Sequence, residues 1–250
     1  MLKLEDIHVS FADLKVFENL NCQLHSGDFV AVMGANGSGK STLFDIITGT
    51  TKPQRGRVLL NGLDISNISE KKRSLFIGRL FQNTHLASVE TLTVRENLAL
   101  ATLKKRSAGL CHGLKNFPKN LIEDLLKPLN LRLDELLDTK MSALSGGQRQ
   151  IISFIMATLV PPHILLLDEP TAALDPHSAT QLLLFAKNFV RKQKIPTLMI
   201  THDAEIAQHM CNKLWIIKDG EVHDTCLKKN LQQHPHELFH QIDYQQLLIS

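Results

Sequence analysis

The chain of 250 residues is poor in cysteine, and its four cysteines, Cys22, Cys111, Cys211 and Cys226, form no C-x-x-C pair. They predict free thiols in a reducing compartment rather than a disulfide framework. Long apolar runs are also missing. The longest, residues 151–160, is broken by Pro161-Pro162-His163 and is too short to cross a bilayer. The start, Met1-Leu2-Lys3-Leu4-Glu5-Asp6, has no signal-peptide pattern. The expectation is a soluble chain, with any membrane spans supplied by other subunits. Charge of one sign is scarce: 28 Lys and Arg against 25 Asp and Glu leave a net +3, which does not argue for nucleic acid. The basic clusters Lys71-Lys72-Arg73 and Lys104-Lys105-Arg106 read as solvated faces, with contact to a membrane-protein partner or acidic headgroups as the alternative. No internal repeat or low-complexity segment is present. Hydrophobic content of 43% and charged content of 21% are ordinary globular values.

Against this plain background one segment stands out. Gly34-Ala35-Asn36-Gly37-Ser38-Gly39-Lys40-Ser41-Thr42 fits G-x-x-x-x-G-K-[ST]. It follows the apolar run Phe29-Val30-Ala31-Val32-Met33 and precedes a helix-like run, 41–48. Glycines let backbone N–H groups close on a phosphate chain, and the following helix points its positive end at the same anion. Lys40 is placed to reach the β- and γ-phosphates, and the Ser41 hydroxyl to sit on Mg²⁺. The competing reading is a Gly-rich turn that matches by chance. The flanking strand and helix weigh against it.

Residues 2–9 alternate with period two, as a half-buried strand does, and 14–24 alternate loosely. Residues 57–62 read as a strand ending in an Asn-Gly turn, and 75–81 as another strand. Up to about residue 85 the pattern predicts antiparallel strands around one nucleotide site. From 93 to 144 the period becomes helical, with a loop or short helix over 104–120. Then follow a helix (148–159), a buried strand (164–167), a helix (176–192), a strand (197–200), a helix (204–210) and a hairpin turning at Asp219-Gly220. Strands alternating with helices predict a parallel sheet covered on both faces.

The strand Ile164-Leu165-Leu166-Leu167 ends in Asp168-Glu169. A buried strand delivers Asp168 rigidly to a metal, and Glu169 is then placed to orient or deprotonate a water attacking the γ-phosphate. The bland alternative, a core strand ending in surface acids, loses weight beside a phosphate loop. Leu144-Ser145-Gly146-Gly147-Gln148 before an apolar helix is a second anion site or an ordinary Ser-capped helix.

Together these motifs resemble the ATP-binding cassette of ABC transporters, in the family's order and over nearly the whole chain. The resemblance implies an α/β fold: a P-loop NTPase core with a mixed, largely parallel sheet, an antiparallel β subdomain and an inserted helical subdomain. Residues 34–42 resemble the Walker A loop, so Gly34, Asn36, Gly37, Ser38, Gly39, Lys40, Ser41 and Thr42 are expected to hold ATP. Phe11 stands where the family stacks an aromatic on adenine, here Phe rather than the commoner Tyr. Gln82 matches the Q-loop glutamine, which contacts Mg²⁺ and the attacking water. Asp168 and Glu169 match Walker B and the catalytic glutamate, which gives Ser41, Gln82 and Asp168 as the Mg²⁺ set. Ser145, Gly146, Gly147 and Gln148 match the signature sequence, Asp175 the D-loop, and His202 the switch histidine. The expected catalytic residues are Glu169, His202, Gln82 and Lys40. His202 is expected to hydrogen-bond the γ-phosphate rather than act as the base.

In this family ATP is sandwiched between one cassette's Walker A and another's signature. The resemblance therefore implies a homodimer, or pairing with a similar cassette, docked on integral membrane permease subunits and served indirectly by a solute-binding protein. That places the chain on the cytoplasmic face of the inner or plasma membrane. Segments such as Ile77-Gly78-Arg79-Leu80-Phe81-Gln82 look like the ATPases of importers with tryptophan/tyrosine-type binding proteins. A permease groove beside Gln82, near His85, Leu86 and Glu90, is expected on family grounds. The expected division is one ABC domain: 1–92 and 146–225 as core and β lobe, 93–145 as helical subdomain, 226–250 as a short helical tail. Other readings are a soluble ABC ATPase of a cytosolic assembly system and the ATPase of an export or lipoprotein-release complex. His234, His236 and His240 read as an exposed helix face, with a metal site as the sharper alternative.

Overall fold

The computed structural model describes residues 1–103, 136–172 and 174–226. Two sheets organise them. The first is antiparallel, in the order β2–β1–β4–β5, from β1 (Leu2–Phe11), β2 (Leu14–Leu24), β4 (Arg55–Leu60) and β5 (Leu63–Asp64). The second runs β10–β9–β3–β8–β7–β6, from β3 (Phe29–Met33), β6 (Ile77–Leu80), β7 (Ile164–Asp168), β8 (Thr197–Ile200), β9 (Lys213–Lys218) and β10 (Glu221–Cys226). Its neighbours are parallel except the β9–β10 hairpin.

The expectation that the first 85 residues form only antiparallel strands is corrected here. β3 and β6 pair in parallel with β8, β9 and β7, strands that arrive much later in the chain. Every residue of β3 is buried, as in a sheet covered on both faces. Val30 and Val32 face a core between the two sheets, with Leu4, Phe17, Phe44, Ile47 and Trp215. Phe29, Ala31 and Met33 face the other core, with Leu165, Ile152, Phe154 and Leu182. The alternation along β1 slips once. Leu2 and Leu4 are buried, then Ile7 and Val9, because a bulge at Asp6 (φ 51°) shifts the phase by one residue.

The helices are α1 (Lys40–Thr48), α2 (Glu70–Arg73), α3 (Val94–Thr102), α4 (Gly146–Thr158), α5 (Pro176–Gln193) and α6 (Ala204–Met210). Capping boxes start two of them: Thr93 with Glu96 at α3, and Ser145 with Gln148 at α4. Asp175 caps α5, with Pro176 in the first turn, and Asp203 caps α6. None of the described helices is long and apolar enough to cross a membrane. The loop expected at 104–120, most of the expected 93–145 subdomain, and the expected 226–250 tail after Cys226, with its three histidines, lie outside the described residues.

Candidate active site

The phosphate-type loop leaves β3 at Met33 and enters α1 at Lys40. Gly39, the N-cap of α1, has φ 103°, and a Cβ there would stand 2.8 Å from both Phe17 Cζ and Val16 Cγ1. Glycine is therefore required twice over: for the left-handed backbone and for the contact with β2. No side chain caps α1, so its first N–H groups stay available to an anion. Ser38 Oγ is buried without a hydrogen-bond partner and turns into the same loop, where a Cβ on Gly34 would lie 2.6 Å from it. An orphaned buried hydroxyl is costly unless a ligand satisfies it. Asn36 and Gly37 are exposed at the loop's crest, Ser41 is exposed, and Thr42 is half-buried.

Lys40 is 8% exposed, and its ammonium donates to the carbonyls of Gly34 (2.8 Å) and Ala35 (2.7 Å). It closes the loop on itself and stands as a point charge inside it. Burial holds its pKa below the ordinary lysine value, while Glu169 and Asp168 pull it back up. Phosphate oxygens arriving in the loop would give that charge its counter-ion.

β7 delivers Asp168 to the edge of this loop, and the chain turns sharply at Glu169, whose φ is 43°. Its N–H donates to Ile200 O at the end of β8 (3.1 Å), which fixes the turn. The Glu169 carboxylate is shared by Gln82 Nε2 at 3.0 Å and His202 Nε2 at 2.7 Å. Gln82 follows β6 and His202 follows β8, so three parallel strands converge their C-terminal ends on one carboxylate. Ligands of open α/β sheets bind at that edge. Asp168 is half-buried; burial raises its pKa, opposed by Arg79, whose Nη2 lies 3.2 Å from Oδ2.

Ser41, Asp168 and Gln82 offer only hard oxygen donors: a hydroxyl, a carboxylate and, with its NH₂ given to Glu169, the amide Oε1. That set suits Mg²⁺, which keeps water and phosphate in its shell. Among the described residues no group of three His, Cys, Asp or Glu forms a closed metal cage.

Other expected residues lie outside this hydrogen-bonded centre. Phe11 is 50% exposed at the C-terminal end of β1. Ser145 and Gly146 are exposed, and the box they form is self-contained: Gln148 N–H donates to Ser145 Oγ (3.2 Å), and Ser145 N–H to Gln148 Oε1 (3.1 Å). Among the described residues no hydrogen bond ties them to the loop at 34–42. Gly147 packs against α5 so closely that a Cβ would meet Ser178 Oγ at 2.5 Å. That contact locks the start of α4 to the start of α5, where Asp175 accepts from the N–H groups of His177 and Ser178, both at 3.0 Å. Those bonds depress the Asp175 pKa, Ser178 foremost. Ser145, Gly146 and Asp175 thus lie exposed side by side at the starts of α4 and α5.

Two contributors escape a motif search. Arg79 links Asp168 to Asp45 on α1, and the buried Gln150 of α4 donates to Pro170 O (3.2 Å) beside the acidic turn. Arg79 lies in an apolar strand, and nothing local announces its acidic partners. Gln150 sits inside the segment Gln148-Arg149-Gln150, where its burial (3% exposed) is invisible to spacing alone.

Comparison with known proteins agrees with this geometry. The family model described as ABC transporter matches residues 17–172. A tyrosine transport ATP-binding protein of Clostridioides difficile (strain R20291) is 40% identical over 227 residues, spanning 89% of this chain and 90% of that protein. A bacitracin export ATP-binding protein, BceA, of Halalkalibacterium halodurans is 30% identical over 233 residues, spanning 89% of this chain and 87% of its own. Among solved structures, a dimeric post-hydrolysis state of the ATP-binding cassette MJ0796 bound to ADP and Pi superposes with a TM-score of 0.76 at 28% identity. It covers 91% of this chain and 99% of that one. With the loop, the acidic turn and the histidine converging on one sheet edge, the chain belongs to the ABC transporter family, as one of its ATP-hydrolysing cassettes.

Proposed function

We propose that this cassette is the ATPase of a membrane importer for a small solute such as an amino acid, working as a homodimer on the cytoplasmic face of the membrane. The observation that carries the catalytic part is the shared carboxylate: Glu169 held by Gln82 at 3.0 Å and His202 at 2.7 Å, at the mouth of the glycine loop. Residues 34–42, with Gly34, Asn36, Gly37, Ser38, Gly39 and Thr42 lining the cradle, grip the triphosphate. Lys40 meets the β- and γ-oxygens, and Phe11 stacks on adenine. Ser41, Asp168 and Gln82 would hold Mg²⁺, which would supply positive charge against the triphosphate. Glu169 orients or deprotonates a water, whose oxygen forms a bond to Pγ as the bridge to the β-phosphate breaks and ADP leaves. His202 holds the γ-phosphate and keeps Glu169 in register. Ser145, Gly146, Gly147, Gln148 and Asp175 act on the nucleotide of the partner cassette. The dimeric MJ0796 relative supports that arrangement.

A cleft is lined by Thr48, Glu70, Ser74, Ile77, Arg79 and Phe81, the residue before Gln82, and Leu86 and Val89 a few residues on are exposed. It suits a helix of an integral membrane permease, which a solute-binding protein would serve in turn. The tyrosine transport relative favours import of an amino acid. The bacitracin export relative keeps export as a second reading.

The test is Glu169→Gln. Turnover should be nearly abolished while ATP still binds, and light scattering with ATP should report a dimer that the wild type forms only transiently. Normal turnover in this variant would overturn the role of Glu169. Transport by the cassette reassembled with its permease in vesicles separates the two directions: accumulation inside or outside decides between import and export.

A further inference from the structure

Arg79 is a charge set inside an apolar strand. Its side chain is 15% exposed, and its two terminal nitrogens point to different acids. Nη1 lies 2.8 Å from Asp45 Oδ1 on α1, and Nη2 lies 3.2 Å from Asp168 Oδ2 at the end of β7. The guanidinium carbon stands 4.8 Å from the centroid of the Phe81 ring and 5.9 Å from that of Phe44. Ion pairs and aromatic rings together fix a planar group in one orientation. The cluster of two acids and one base has a net charge of one negative. It borders the nucleotide loop: Asp45 belongs to the same helix as Lys40, and the Asp168 charge is felt at Lys40.

A triphosphate brought to this edge meets Asp168, Asp45 and Glu169. A divalent cation offsets that repulsion once bound. Before it binds, the offset must come from the protein, and Lys40 and Arg79 are the cations the structure sets against these acids. We infer that Arg79 is a positioning residue and built-in counter-cation. It holds Asp168 against Asp45 and limits the cluster to one net negative charge, so that ATP can bind without its metal. This rests on the reading of residues 34–42 as the ATP loop. Only Oδ2 of Asp168 is taken up by the ion pair, so Oδ1 is left for the metal.

Charge compensation tests it. Affinity for a non-hydrolysable ATP analogue is measured on the full chain by calorimetry, in EDTA and in excess Mg²⁺. The proteins are wild type, Arg79→Met, Asp45→Asn and the double variant. Their clusters carry one, two, no and one net negative charge. In EDTA, Arg79→Met should bind about tenfold more weakly, Asp45→Asn several-fold more tightly, and the double variant within about threefold of wild type. In Mg²⁺ the whole span should shrink below about threefold, because the metal supplies the missing charge. A purely structural arginine predicts otherwise, and either of two results overturns the inference: a double variant no better than Arg79→Met, or an Arg79→Met loss equal in EDTA and Mg²⁺. If Arg79→Met does not fold, Arg79→Lys should keep wild-type affinity in EDTA while Asp45→Asn still tightens it; failure of either overturns the inference. No binding by the wild type in either condition would overturn the ATP reading itself, and this inference with it.

Discussion

At Glu169 the backbone turns through φ 43° while the side chain is held from two sides. A non-glycine residue in that region costs of order 1 kcal/mol and persists only where the surroundings impose it. Here the N–H bond to Ile200 O and the bonds from Gln82 and His202 impose it. The strain has a use. An extended backbone would carry the carboxylate onward along the β7 direction, whereas the turn keeps it beside the loop. In the mechanism proposed above, His202 acts by holding the carboxylate rather than by taking a proton. His202→Ala should therefore lower turnover by about a hundredfold while ATP affinity moves only a few-fold, since the loop and Lys40 are untouched. Steady-state kinetics with a separate binding measurement checks the split. Equal losses in both quantities would mean that the histidine serves binding instead. Of this centre, Glu169 was legible in the sequence as an acid closing a buried strand, whereas Gln82 and His202 were expected through the resemblance to the cassette family. Arg79 was not, because its two acidic partners lie 34 and 89 residues away.

Elements show the same division between what is local and what is not. α3 through α6 begin where capping side chains stand, and Ser145, Asp175 and Asp203 are readable as caps because the signal is contained within three residues. The pairing of β3 and β6 was not readable, since an apolar run of five residues carries no sign of its neighbours. Nor was Arg73, which in sequence belongs to the basic cluster Lys71-Lys72-Arg73 and was expected on a solvated face. It is 1% exposed. Its guanidinium donates to Ile46 O and Ile47 O (both 2.8 Å), Ile68 O (2.9 Å) and Ser66 O (3.0 Å). The first two carbonyls belong to the last turn of α1, where a cation also meets the negative end of the helix. Arg73 thus clamps the rear of the nucleotide helix to the segment leading into β6. Burial alone lowers its pKa, with Asp64 opposing, and the four carbonyls take the place of water. Arg73→Leu would leave those carbonyls without a donor in a dry site, at a cost of about 3 kcal/mol or more. For a domain of this size that is a fall in melting temperature of about 10 °C. Thermal denaturation of the nucleotide-free chain measures it. An unchanged melting point would show that the carbonyls find other partners.

At the scale of the molecule, the chain carries two glycine-containing helix starts, and among the described residues no hydrogen bond joins them. The glycine loop meets Glu169 and His202, whereas Ser145 to Gln148 form an exposed capping box locked to α5 through Gly147 and Ser178. A box whose side chains already satisfy each other gains nothing by being exposed, unless its remaining N–H groups have a distant acceptor. The head-to-tail pairing proposed above would supply one, by setting each box against the other copy's triphosphate. Under that symmetry both contacts form twice, and a defect in either half disables a site that belongs to two chains. The consequence can be checked by mixing. Lys40→Ala spoils the loop and Ser145→Arg spoils the box, so each homodimer should be inactive. In a mixed dimer, the intact loop of the Ser145→Arg chain faces the intact box of the Lys40→Ala chain, and one whole site is restored. Random pairing makes half of the dimers mixed with one working site in two, so equimolar mixing should recover about a quarter of wild-type turnover if the two sites act independently. ATPase assays across a mixing series should rise to a maximum at equal amounts and fall to zero at either end. Zero recovery at every ratio, with wild-type levels of dimer present, would mean that loop and box serve the same chain's nucleotide.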